Sequence, residues 1–462
     1  MSQRSLTLLI ATLGWAWPAL AQVPAPPPAQ GNPRAASHLH PAPISPVSPG
    51  DLDAAVARGV AYLRRTQNHD GSWGSPRWTG GVDRDPVPGA FHSFDIATTA
   101  LCLEAMLGAG DAPEVIEAVT RAEAFLLESL PKLRRADQFN LPNVWGYTYG
   151  IQALAELTRR EPVESPRRRR LEEAIRAQIK GLEHFETVHG GWFYYASGLQ
   201  RPLAPSASFV NAAVLVAIDR ARSLGVTMDS RVLERAIRAT ADQRKPDSSY
   251  LYSISSPLDK GAAKAPINRP AGSLGRSQAC NLALRLWGDK RITEGVMKEW
   301  LDRLISRNGW LDMGRKRPIP HESFAQVAGY FFYFGHYYGA LCIGQLPEGE
   351  RPFYQDQLAR LLIQLQENDG SWFDYPLYSY HKPYGTAFAL MSLQCCRKPL
   401  GGHSGQRETH LPPTFPVAQP RSTAGALGFM TGPGEPSSCL IQASCASSIL
   451  VTSVFSGAPH PF

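Results

Sequence analysis

No stretch of the 462-residue chain carries the ~18 consecutive apolar residues that a membrane-spanning helix needs. No C-x-x-C pair is present, and Cys395 and Cys396 are adjacent, a spacing that does not suit a chelate, so no metal site is expected. The 7 cysteines are an odd number, which leaves at least one thiol unpaired within a monomer. Cys102, Cys280 and Cys342 sit in apolar stretches and read as buried thiols, while a disulfide is open only to Cys439 and Cys445. Charged residues are scarce at 19%, and the formal net charge of +7 owes much to one run, Arg167 to Arg170. Beside Pro162 and Pro166 that run reads as a solvated loop. No nucleic-acid motif accompanies it, and nothing calls for a cofactor.

The two ends differ from the middle. Arg4, the apolar stretch Leu6 to Leu20 and the small residues of Ala19-Leu20-Ala21 have the order of a secretory signal, residues 1–21. Residues 22–50, rich in Pro, Ala and Ser, follow as a flexible spacer, and 399–462 read as a low-complexity tail. A secreted or periplasmic protein with disordered termini is expected.

Between these ends the chain repeats. QNHDGSWG begins at Gln67 and QENDGSWF at Gln366, each with six residues from Gln to Trp. HGGWF at His189 and NGWLD at Asn308 are weaker copies, and two degenerate ones fall at Pro246 to Tyr252 and at Val144. Trp192, Trp310 and Trp372 are 118 and 62 residues apart, so the period is near 60. The helix before each turn is amphipathic: Leu358, Leu361, Leu362 and Leu365 fall at i, i+3, i+4 and i+7. The segments after the turns are apolar on most faces: 96–107, 147–157, 209–218, 278–286, 325–343 and 385–393. Half-exposed helices outside and apolar ones inside satisfy both patterns. The expected fold is all-α, an α/α toroid of six helical hairpins over residues 51–398 with a central cavity; an open solenoid is the alternative.

The Gln-x5-Trp and D-G-S-W pattern on this period resembles the repeat of squalene and oxidosqualene cyclases and of protein prenyltransferase β subunits. The resemblance implies that Gln67, Trp73, Gln366 and Trp372 tie outer helices together, with Gln capping a neighbouring helix and Trp stacked over it. It also implies where chemistry would sit. Hopene-type cyclases protonate an alkene with the central acid of D-x-D-D-T-A; here FDIATTAL keeps Asp95, Thr99 and Ala100, but Ala97 and Thr98 stand where the acid and its partner belong. Prenyltransferases hold zinc with Asp, Cys and His; Gly385 stands where that His would be, and no D-x-C precedes it. The C-x-E-Q segment of thioester toroids is absent.

Polar residues among aromatic ones are the remaining candidates. Asp95, His321, Glu322 and His381 are candidate acids and bases, a His/Glu pair being able to serve as both. Trp192, Tyr194, Asn211, His336, Tyr380 and Tyr384, with the aromatic run Tyr330 to Tyr338, are candidates for lining a ligand site. Core packing is the commoner role of such a run. Two readings follow. One is a ring that binds an apolar or repetitive ligand, a lipid, isoprenoid or glycan, or serves as a scaffold. The other is an enzyme on the same ring, a divergent terpene cyclase or a secreted glycan lyase or hydrolase.

Overall fold

The computed structural model describes residues 39–81, 91–133, 144–194, 205–254 and 264–397. All lie in the first of two units of the chain, Met1–Arg407. The expected signal, most of the spacer, the tail 399–462, Cys439 and Cys445 fall outside the described residues.

Among the described residues thirteen α-helices follow one another: α1 (Pro49–Thr66), α2 (His92–Leu107), α3 (Pro113–Ser129), α4 (Val144–Arg159), α5 (Pro166–His184), α6 (Ser208–Arg222), α7 (Ser230–Asp242), α8 (Leu274–Leu286), α9 (Glu294–Ser306), the single turn α10 (Gly309–Asp312), α11 (Phe331–Ile343), α12 (Arg351–Gln364) and α13 (His381–Cys396). One two-residue ladder joins β1 (Ser206–Ala207) to β2 (Ser253–Ile254). Starts are chemically marked. Ser48 accepts from the amide of Asp51 at the head of α1, and Asp229 caps α7 through the amides of Arg231 and Val232.

Burial sorts the helices into two rings. Helix α2 buries 13 of its 16 residues, whereas α5 buries 5 of 19, Leu171, Ile175, Gln178, Ile179 and Leu182, along one stripe. The inner helices pack in the order α2, α4, α6, α8, α11, α13, and α13 returns to α2. Outside, α1 lies between α12 and α3. The ring is therefore closed, an α/α toroid of six hairpins. Its seam is fastened by side chains: Ser75 Oγ lies 2.6 Å from Ser379 Oγ, and Thr79 Oγ1 donates to Tyr378 O at 2.8 Å.

The repeated turn is a clasp. The indole Nε1 of Trp73, Trp192 and Trp372 donates to Leu63 O, Leu182 O and Leu362 O, 2.8 Å in each case, the carbonyl ten residues earlier. Each Trp amide donates into the following inner helix, to Thr99 Oγ1, Asn211 Oδ1 and Thr386 Oγ1. Gln67 Nε2 bridges Gly71 O and Ala118 O of α3, and Gln366 Nε2 bridges Gly370 O and Ala55 O of α1. Gly71, Gly190 and Gly370 are left-handed, and a Cβ at any of them would strike a backbone carbonyl of the next outer helix. In the degenerate fourth copy Ser248 takes that left-handed turn (φ 57°), with Tyr250 fully buried in the Trp place.

Several expectations need correcting. In the fifth copy, Arg307 and Asn308 turn at once into the separate single helical turn α10, Gly309–Asp312, and Trp310 is half-buried against Phe324 rather than clasped. Trp145 of the second copy is on inner helix α4 itself, stacked on Tyr149 and Phe209. The fifth inner helix begins at Phe331, six residues later than its apolar run. Arg167 to Arg170 form the first turns of α5, where Arg167 pairs with Glu123 and Glu161 and Arg168 with Glu172. The end of the spacer is an ordered strap. Residues 39–47 lie over α9 and α12, held by Ser306 Oγ to Leu39 O, Gln357 Nε2 to Ala42 O, Arg360 to Ser45 O and Val47 N to Asp356.

Candidate functional site

Every inner helix begins at the same end of the ring, so the turns and loops that precede them form one mouth. Three loops bring together a row of hydrogen-bonded rings there. Tyr194 Oη lies 3.3 Å from Tyr252 Oη, Tyr252 Oη lies 3.4 Å from Tyr330 Oη, and Tyr330 Oη lies 3.0 Å from His321 Nε2. All four residues are half-buried. His321 Nδ1 lies 2.7 Å from Gln326 O; a carbonyl only accepts, so Nδ1 carries the proton and Nε2 accepts from Tyr330. Tyr330 must then accept from Tyr252, and Tyr252 from Tyr194. The row is directional and ends on a neutral imidazole. Burial pushes the His321 pKa down, the Gln326 carbonyl opposes this, and the charge of Arg276 adds to it.

The backbone here is strained. His321 (φ 64°), Gln326 (φ 55°) and Lys316 (φ 65°) are all left-handed without being glycine, at a cost of about 1–3 kcal/mol each. That strain turns the His321 ring toward Tyr330 and against the edge of Tyr252, 5.5 Å between centroids.

Below the row the axis is filled. Phe209 meets Tyr252, Phe331 and Phe334, and Phe388 meets Tyr149, Phe334 and Tyr337, all with centroids 5.0–6.4 Å apart. Helices α4 and α13 are not neighbours in the ring order, nor are α6 and α11, so the Tyr149–Phe388, Phe209–Phe331 and Phe209–Phe334 contacts cross the lumen. Farther down, Arg220 of α6 pairs with Glu104 of α2 and donates to Tyr337 Oη at 2.7 Å, another bridge between helices that are not adjacent.

A second group lies at the seam. Tyr380 Oη donates to Asp95 Oδ1 at 2.6 Å, joining the first hairpin to the last. Burial raises the Asp95 pKa, opposed by that hydrogen bond. The sequence reading missed Asp374, which is fully buried. It accepts from Tyr384 Oη at 2.7 Å and, across the fold, from the amide of Tyr333 in the first turn of α11. Burial pushes its pKa up to about 7 against both hydrogen bonds. Its only signal in the sequence was a carboxylate set between Phe373 and Tyr375.

The remaining candidates are elsewhere. Glu322 is exposed and pairs with Arg317, so no His321–Glu322 pair exists. Asn211 and Trp192 are spent in the third clasp. His336 is buried inside α11 between Phe332 O and Asn308, its pKa pushed down to about 4 by burial. His381 opens α13 against Tyr378 O and the Phe373 edge, its pKa also lowered by burial. Tyr194 is in the row, Tyr380 holds Asp95, and Tyr384 holds Asp374. Asp95, Asn211, His321, Glu322 and His381 do not hydrogen-bond to one another among the described residues. Tyr252 and Tyr330, which do, sit in loops where the sequence offers aromatic residues without a spacing that singles them out. Among the described residues no cluster of His, Cys, Asp and Glu could hold a metal ion, and no helix is long and apolar enough to cross a membrane.

No protein-family model matches the sequence, and no curated protein matches it. Solved structures are similar in helix arrangement. A type II terpene cyclase from Scytonema is 15% identical, covering 75% of this chain and 98% of its own, with a TM-score of 0.43. An unsaturated glucuronyl hydrolase from Streptococcus agalactiae is 14% identical over 76% and 93%, with a TM-score of 0.49. A cellobiose 2-epimerase from Spirochaeta thermophila is 15% identical over 75% and 97%, also with a TM-score of 0.49. At these identities the similarity is one of helix arrangement alone.

Proposed function

We propose that the ring is an exported carbohydrate-binding protein that takes an oligosaccharide at its aromatic mouth. One observation carries this reading: the half-exposed row Tyr194, Tyr252, Tyr330 and His321, in which flat apolar faces alternate with hydroxyls already aligned in one direction. Sugar rings present C–H faces that stack on aromatic rings and hydroxyls that join such a row. A long isoprenoid chain would instead need a deep apolar lumen, and the rings of Phe209, Phe334 and Phe388 occupy the axis. The export signal expected at residues 1–21 suits a ligand found outside the cytoplasm.

A second reading, glycan cleavage at the same mouth, is favoured by the neutral His321 accepting from Tyr330, a pair that can move a proton between base and acid. Titration calorimetry of the whole protein with neutral and acidic oligosaccharides and with squalene separates the readings. Binding of an oligosaccharide that is lost in Tyr252→Ala is the expected result, and new reducing ends that vanish in Tyr330→Phe would promote the second. Squalene binding without any oligosaccharide binding would overturn both.

A further inference from the structure

Directly behind the aromatic row sits a charge with no counter-charge among the described residues. Arg276, on the first turn of α8, is 1% exposed. Its guanidinium donates to Tyr250 O (2.8 and 3.2 Å), Gly272 O (2.9 Å), Ile267 O (2.6 Å) and Asn268 Oδ1 (3.1 Å). These are neutral oxygens. No carboxylate pairs with it among the described residues, whereas the half-buried Arg220 is paired with Glu104. The guanidinium carbon lies 5.6 Å from the centre of the Tyr252 ring. Carbonyls satisfy its protons, yet they leave its net charge in place.

A buried, uncompensated cation projects a field that a low-dielectric wall screens poorly. The Tyr252 ring transmits that field to whatever rests on its other face. Acidic side chains described here are engaged elsewhere: Asp289 by Arg244 and Arg291, Asp247 by Ser249, Asp95 by Tyr380 at the seam, Asp374 under Tyr384 and the α11 amide, and Glu322 by Arg317. The same charge adds to burial, the larger cause, in opposing protonation of His321.

We infer that Arg276 makes the mouth selective for a carboxylate-bearing saccharide, a uronic acid oligomer, over a neutral one. This rests on the carbohydrate reading and deepens it. The carboxylate need not touch the guanidinium: a unit charge across one aromatic ring, at an effective dielectric of about 20, discriminates on the order of tenfold. Arg276 is here a specificity-determining residue that acts through Tyr252.

The test compares oligogalacturonate with a cello-oligosaccharide of equal length, by calorimetry on the whole protein. Wild type is expected to bind the uronate on the order of tenfold more tightly. That preference should survive about 1 M salt, where the screening length is about 3 Å and exposed arginines no longer contribute. In Arg276→Gln the two ligands should bind alike, while Arg276→Lys retains part of the preference. Equal binding of both ligands by wild type overturns the inference and leaves the carbohydrate reading standing; binding of neither overturns both. A preference abolished by salt, or kept by folded Arg276→Gln, assigns it to surface charge and overturns the role of Arg276. Should Arg276→Gln fail to fold, as judged by circular dichroism, the wild-type salt series decides alone.

Discussion

Arg235 holds Glu186 by two parallel hydrogen bonds, Nε to Oε1 at 2.7 Å and Nη2 to Oε2 at 2.6 Å. Glu186 stands six residues before Trp192, the place that Gln67 and Gln366 hold before Trp73 and Trp372. Arg121 donates to Gln67 Oε1 and Arg58 to Gln366 Oε1 in the same way. The clasp is therefore a four-part device of Gln or Glu, Gly, Trp and an arginine from the next outer helix. In the third copy it has become an ion pair.

Glu186→Gln should cost little, because glutamine is what the first and sixth copies use. Glu186→Ala leaves Arg235 without its acceptor and is expected to cost about 2 kcal/mol. Urea denaturation of both variants checks this; an equal loss for the two would mean that the charge, not the hydrogen bond, is what the third clasp needs.

Trp372 is fully buried at the seam, with Gly59 of α1 so close that a Cβ there would lie 2.8 Å from Trp372 Cζ3 and from Leu390 Cδ2. Trp372→Ala should lose about 3–5 kcal/mol, and Gly59→Ala about 1–3 kcal/mol through overpacking. Thermal melts measure both, and the outer-helix glycine variant is the sharper check because it removes nothing.

Two buried groups pull stability in opposite directions as pH changes. Asp374 has its pKa raised to about 7, so its contribution is full below about 4, its unfolded value, and is lost as pH rises toward 7. His336 has its pKa lowered to about 4, so its contribution is full above about 6.5 and is lost as pH falls toward 4. Between about 4 and 6.5 the two compensate. Asp374→Asn should therefore show stability falling more steeply on acidification than wild type does. Parallel curves for variant and wild type would show that Asp374 does not titrate in this window.

The strap of residues 39–47 crosses from α12 to α9, helices otherwise in light contact. His40 stacks on Phe353 at 4.7 Å and lies 3.0 Å from Asp302. A chain beginning at Ser48 should remain helical by circular dichroism and melt several degrees lower, with faster amide exchange in α9 and α12. Unchanged exchange in those two helices would reduce the strap to a passive leader.

The ring was legible in the sequence because its signals are local and repeated. An Asp-Gly stop after an amphipathic stripe, then a segment apolar on every face, leaves two concentric layers as the way to bury both. Where the fifth copy lost the Asp-Gly-Ser order, Asn308-Gly309-Trp310 read as a clasping turn, but after a turn at Arg307 and Asn308 the backbone winds into the short helix α10. The mouth was less legible, since Tyr252, Tyr330 and His321 come from different loops and are joined only by tertiary packing. Glu186 hid behind a change of residue type at an unchanged spacing. Arg276 hid inside a small-residue segment whose burial is evident only once α8 is known to be an inner helix.

The bridge of Arg220 and Glu104 under stacked rings gives the molecule a floor. With rings filling its axis above that bridge, the toroid cannot be threaded by a polymer. On the carbohydrate reading a long chain would therefore meet only the rim, and encounters would be discrete rather than processive.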